Sequence, residues 1–414
     1  VERLQMNKTL TLSETDQLHF FNNLRAFIII LVIAFHAALS FVPGYLWWAN
    51  DTSKNEIFGV VISLMDVFMM PILFFLSGYF VIQSYMHKGF GGFVKSKIKL
   101  LAVPYVIFAL ISCPIISYIG LKNFSANTDL LSKNFFNFFI HYMTSIFSLR
   151  SGAANLRLIA VEGLFNINHL WFILMLLVIF TITALIFYII KFEEKYNNRK
   201  SIITKSIPYK RFRMYGLLLI FSISSFYLVN TFLPENSLFG DAPWYNFTPL
   251  FFFQPSRSVL YISFYLAGIY SFYNELFTND LHTEKILLWS ILTFLSFMFL
   301  IKIMSDYYIE KIPGNELTVV YSIVHVLFAV SVTGLLISMF YRYWNSSSPM
   351  KKSLSENSYN MYLIHFPLVI IMQQIMAKYS MNNCFFDFTV ILIISVTGSY
   401  LISNYILKPD RFKN

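Results

Sequence analysis

The chain has 414 residues, of which 57% are hydrophobic and 13% charged, and it carries a formal net charge of +10 at pH 7. A soluble domain has roughly 25% charged residues, so about half the usual surface charge is missing, which excludes an ordinary water-facing globule. The basic excess is read as Lys and Arg retained in cytoplasmic loops, with no nucleic-acid partner expected.

Long apolar blocks alternate with short polar stretches. In hydrocarbon every backbone N–H and C=O must be paired within its own segment, so blocks of about 20 apolar residues must be helices. A membrane barrel would instead show ~10-residue alternating segments. The expected fold is therefore an all-α integral membrane protein of about ten transmembrane helices. In chain order the spans are 26–41, 57–82, 98–119, 170–190, 214–232, 257–272, 286–304, 317–341, 358–377 and 388–407. A short segment, 1–19, precedes a transmembrane domain, 20–407, and a tail, 408–414, follows it. The first span is long, opens on Arg25 and precedes nine more, so no cleaved signal peptide is expected.

Basic residues set the orientation. Lys88, Lys95, Lys97 and Lys99 crowd the second connection, and eight bases from Lys191 to Arg213 crowd the fourth. Arg342, Lys351 and Lys352 lie in the eighth, and Lys408, Arg411 and Lys413 in the tail. Both termini are thus expected in the cytoplasm, with only the acidic sixth connection disagreeing. The segment 134–149 is apolar but short and interrupted by Asn137 and His141, so it reads as an interfacial or re-entrant helix. Gly91 and Gly92 read as a plain turn. Cys113 and Cys384 form no disulfide framework.

Ionisable side chains at membrane depth are costly and ask for a partner or a purpose. Arg25 and His36 are eleven residues apart. At ~100° per residue they share one face of the first helix, separated by ~16 Å along its axis. Arg25 then sits at the cytoplasmic mouth and His36 deeper along one polar track. The alternative is that Arg25 snorkels as a topology anchor and His36 satisfies a backbone carbonyl. Asp66 in the second span could reach His36 and fix its tautomer, leaving the other ring nitrogen as a base. His325 and His365 read as packing histidines, and Glu162 and His169 as polar residues at the outer mouth of the fourth span. No metal-ligand spacing is present, so no metal is expected. Trp47, Trp48, Trp171 and Trp244 map to the outer interface.

Several segments, in order, resemble the acyltransferase 3 family of membrane O-acyltransferases, particularly its periplasmic-glucan succinyltransferase type. They are LRAFIIILVIAFH from Leu24, MPILFFLSGYF from Met70, NHLWFILMLL from Asn168, FYLAGIYSF from Phe264 and LSENSYNMYLIHFPLVI from Leu354. Two positions depart from the family pattern: Asn22 stands where an acidic residue is usual, and Leu100 where the second base of an R-x-x-R motif would fall after Lys97.

The resemblance implies a multi-pass enzyme of the cell's inner membrane with no bound cofactor. An acyl-CoA-type cosubstrate would arrive from the cytoplasm with its phosphates near Lys95, Lys97 and Lys99. His36 would act as general base or carry the acyl group, and Arg25 would position the donor or stabilise negative charge. A hydroxyl of an extracytoplasmic glycan would approach near Asn168, His169 and Trp171, with Asp66 in support. The acyl group would be of the acetyl or succinyl class, and Arg150, Arg157 or Arg257 could read a succinyl carboxylate. The competing classes are a transporter of a small anion or glycan, and a non-catalytic relative that keeps the fold.

Overall fold

In the computed structural model the described residues are 18–45, 47–49, 53–124, 134–148, 152–154, 162–197, 207–233, 238, 244–248, 250–277, 285–379 and 382–407. Most of segment 1–19, the tail 408–414, Arg150 and Arg157 lie outside them.

Twelve helices are described. They are α1 (His19–Ala38), α2 (Glu56–Lys97), α3 (Val103–Phe124), α4 (Phe135–Thr144), α5 (Trp171–Ile189), α6 (Phe192–Asn197) and α7 (Ile207–Thr231), then α8 (Pro255–Tyr273), α9 (Ile286–Tyr308), α10 (Gly314–Tyr343), α11 (Pro349–Tyr379) and α12 (Cys384–Tyr405). Among the described residues, eight runs are long and apolar enough to cross a membrane. One of them, Glu56–Asn123, has 68 residues. At 1.5 Å per residue it would extend ~100 Å, far beyond one ~30 Å hydrocarbon layer. The run contains both the second and third predicted spans. It breaks at Gly89, whose φ of 65° and ψ of 175° are non-helical, while Gly91 and Gly92 are helical rather than a turn. Lys95, Lys97 and Lys99 therefore lie on helix, the last within a π-helical segment, Ile98–Ala102, that joins α2 to α3.

The sixth predicted span, α8, is not among the eight. Its face is too polar for lipid, and that face is buried: Ser256, Arg257, Ser263 and Ser271 all point into the bundle. α8 packs on α2 at backbone distance. A Cβ placed on Gly78 would lie 2.0 Å from the Tyr265 carbonyl oxygen, and one on Gly268 would lie 2.1 Å from that of Phe75. Small residues let membrane helices approach this closely.

α1 lies at the centre, with Phe20, Phe21, Leu24, Ile28 and Ile33 fully buried. It runs parallel to α11, because Arg25 meets Ser355 at one end and His36 meets His365 at the other. By contrast α7, α9 and α12 show large apolar side chains outward, including Ile220, Phe299 and Ile393. Such residues suit contact with lipid.

The segment 134–149 forms α4 and a 3-10 turn, Ser145–Ser148. Ten residues of α-helix rise only ~15 Å, too little to cross the bilayer. Its Phe138, Tyr142 and Ser145 face is buried, and Tyr142 donates 2.5 Å to the Asn166 carbonyl while Ser145 Oγ accepts from Phe165 N at 2.8 Å. Strands also occur, contrary to an all-helical expectation. β1 (Gly152–Ala154), β2 (Trp244–Thr248) and β3 (Phe251–Phe253) make a small antiparallel sheet in the order β1-β2-β3. Gly152 pairs with Asn246 and Tyr245 with Phe253. β-branched and aromatic residues in β2 and β3 suit a strand, and here they tie two connecting segments together. Cys113 and Cys384 are buried and unbridged.

Candidate active site

The site forms where α1, α11 and the 3-10 turn Asn168–Leu170 ahead of α5 converge. α1 contributes His36, which is half-buried. Its Nδ1 lies 2.9 Å from the Val32 carbonyl oxygen and 3.2 Å from His365 Nε2. Around the ring, Trp47 stacks at 6.1 Å and Phe366 stands edge-on at 4.9 Å. Gln373 donates to the His36 carbonyl at 2.9 Å and accepts the Trp47 indole N–H at 2.8 Å, so it fixes the end of α1 and the aromatic wall together.

α11 supplies fully buried His365, whose Nδ1 lies 2.6 Å from the Tyr362 carbonyl oxygen. The reason a third histidine, His169, joins the cluster is Pro367. Within a helix a proline has no N–H to give to the carbonyl four residues back. That carbonyl belongs to Leu363, and His169 Nε2 lies 3.3 Å from it. His169 stacks on Phe366 at 4.7 Å and sits 5.3 Å from His365, and Tyr362 donates to its carbonyl.

These contacts assign the tautomers. Carbonyl oxygens only accept, so His365 carries hydrogen on Nδ1 and His169 on Nε2. His365 Nε2 is then an acceptor, and His36 Nδ1 faces two acceptors and must hold its hydrogen there. The lone pair of His36 is consequently on Nε2. His169 Nδ1 is buried without a hydrogen bond. Asn168 has a left-handed backbone (φ 47°), which Asn tolerates, and its side-chain amide meets the Cys113 thiol but no nitrogen or oxygen partner.

At the other end of the α1 stripe, an Arg25 guanidinium nitrogen donates to the Ser355 carbonyl and hydroxyl, both at 3.3 Å. Arg25 is half-buried and its Nε is unpartnered. Nearby, Tyr359 donates 2.6 Å to the carbonyl of Leu100, the position that lacks the second base. Lys97 places its ammonium 4.1 Å from the Phe180 ring and 5.1 Å from that of Phe93, whereas Lys95 and Lys99 are exposed. The three lysines therefore differ: one is folded onto aromatic faces and two are open.

Asp66 does not meet His36. It pairs with Arg257 at 2.8 Å, and Arg257 NH1 lies 3.0 Å from His325 Nε2. A guanidinium is the stronger partner for a carboxylate, and α8 brings Arg257 to α2 across the glycine contact. Arg257 is committed to this pair and is not an open anion receptor. Trp171 stacks on Tyr261 at 5.7 Å and stands 5.7 Å from Trp244 of β2. Glu162 enters through its backbone, accepting from His141 at 3.1 Å. Of the residues singled out in the sequence, the structure brings His36 and His169 into one cluster, with Asn168 in the adjoining turn and Arg25 at the far end of α1. Sequence reasoning read His365 as packing, and Gln373 and Tyr362 were missed. The signal was His365 followed two residues later by Pro367.

Chemically, the cluster offers a half-buried imidazole with one nitrogen pinned and the other left as the acceptor, and a guanidinium ~16 Å away on the same stripe. No curated protein and no solved structure matches the chain. The acyltransferase 3 profile, described as an acyltransferase domain, matches residues 18–404 and so covers every residue of this cluster. With a match over nearly its whole length and its long apolar helices, the chain belongs to the acyltransferase 3 family and is a membrane acyltransferase.

Proposed function

We propose that the protein moves an acetyl- or succinyl-class acyl group from a cytoplasmic acyl-CoA-type donor to a hydroxyl of an extracytoplasmic glycan, as a multi-pass enzyme of the inner membrane with both termini cytoplasmic. The observation that carries the reading is the state of His36: Nδ1 is held by two acceptors and Nε2 is left as a free base on a half-buried ring. The acceptor hydroxyl gives its proton to Nε2 as its oxygen bonds the thioester carbonyl carbon. The C–S bond then breaks, and the same proton passes to the leaving thiolate.

Arg25 is too far from His36 to touch the reacting carbonyl, so it binds the donor at the inner mouth. Exposed Lys95 and Lys99 meet its phosphates there, with Lys97 close by. The long pantetheine arm would bridge from this mouth to His36. On the outer side, Trp171 and Tyr261 offer aromatic faces to a sugar, with Asn168 and His169 in the turn that leads into the helix of Trp171. Asp66 supports this wall by holding Arg257.

Mass spectrometry of surface glycans from cells with and without the protein tests the reading. The expected result is a shift of one acetyl or succinyl unit that disappears in His36→Ala, with the variant still in the membrane. Unchanged glycans in all three strains would reject it.

A further inference from the structure

A histidine base is commonly oriented by a carboxylate that accepts its second N–H and stabilises the imidazolium. Here the one carboxylate that the sequence offered for this role, Asp66, is taken by Arg257. What stands behind His36 is another imidazole, fully buried and already anchored through its far nitrogen to the Tyr362 carbonyl. The ionisable side chains of the cluster come from three elements: His36 from α1, His365 from α11 and His169 from the turn before α5. Trp47 and Phe366 close the remaining sides.

We infer that His365 is the positioning residue of His36, accepting its Nδ1–H and sharing the proton that His36 takes up. The inference rests on His36 being the base of the proposed reaction. When Nε2 of His36 receives the hydroxyl proton, the Nδ1 proton can cross to His365 Nε2. His36 is then neutral again and His365 is the imidazolium, its Nδ1–H still on Tyr362. Return of that proton accompanies protonation of the thiolate, so the pair ends each turnover as it began.

Two full charges 3.2 Å apart would repel, so the pair holds one extra proton at a time. The rest state is uncharged. That matters at membrane depth, where a permanent carboxylate would need its own counter-charge. The backbone carbonyls of Val32 and Tyr362 supply the negative ends of dipoles on both sides of the pair.

The test compares wild type, His365→Leu and His365→Gln in lipid nanodiscs, with two readouts. The first is carbethoxylation of His36 by diethyl pyrocarbonate, followed by peptide mass spectrometry, which needs neither donor nor acceptor. Loss of the imidazole acceptor, with only the Val32 carbonyl left on Nδ1, should slow His36 labelling about tenfold in His365→Leu, and the Gln carbonyl should restore it to within about threefold. Equal labelling in wild type and His365→Leu would overturn the inference. The second readout is kinetic: kcat should fall about 100-fold in His365→Leu with the donor KM unchanged, and recover in His365→Gln. A parallel rise in KM, or no rescue by Gln, would overturn it as well. Should His365→Leu misfold, His365→Met, which also lacks a comparable acceptor, takes its place. A wild-type protein that shows the labelling pattern but transfers no acyl group would reject the proposed reaction and keep the pair.

Discussion

Asp66 and Arg257 form a 2.8 Å ion pair in which the arginine side chain is 3% exposed and the carboxylate 36%. Removing one partner strands the other. Asp66→Ala should lower stability by about 2–3 kcal/mol, less than for a fully sealed pair because the carboxylate is partly solvated. Thermal unfolding in detergent would measure it. The double variant Asp66→Leu, Arg257→Met should recover much of the loss, and a double variant less stable than either single one would contradict the ion-pair account.

The lysines of the inner mouth should separate kinetically. Lys95 and Lys99 are exposed, so replacing both with Ala should raise the donor KM several-fold, leave kcat near wild type and weaken the dependence of KM on salt. Lys97 lies over the Phe93 and Phe180 rings, and Lys97→Met should instead cost roughly 1 kcal/mol of stability. Steady-state kinetics at two salt concentrations, with melting curves, distinguish the outcomes.

Pro367→Ala would restore an N–H opposite the Leu363 carbonyl and compete with His169 for it. The expected variant is at least as stable as wild type and about tenfold slower, because His169 loses its anchor. A faster or unaltered enzyme would show that the freed carbonyl has no part in the site.

Gly78→Val or Gly268→Val should prevent assembly. A Cβ at either position meets backbone rather than a flexible side chain, so the neighbour cannot give way. Size-exclusion chromatography should show aggregate in place of a single folded peak, with Gly216→Ala, where a Cβ meets nothing within 4 Å, as the tolerated control.

How much of this could be read from the chain depends on the range of the interaction. The α1 stripe was legible because Arg25 and His36 are related by helical periodicity alone. Asn168 stood out only through the resemblance of NHLWFILMLL to a family motif, because no periodicity relates it to His36. The partner of Asp66 was not legible, since Arg257 lies far along the chain on another span and no spacing relates the two. His365 was in plain view, but a lone histidine in an apolar helix carries no sign of whom it faces. The lysine connection was misread as loop because Gly91 and Gly92 suggested a turn, whereas Gly89 alone takes the left-handed φ.

Because α11 meets α1 at Ser355 and again at His365, ten residues of one helix are matched to eleven of the other. That span acts as a ruler. One extra residue in α11 between those points would rotate everything beyond it by ~100° and carry its far end to another face. Arg25 would keep its anchor while His36 lost its neighbour, so an insertion there should uncouple grip on the donor from turnover without altering a single side chain at either end.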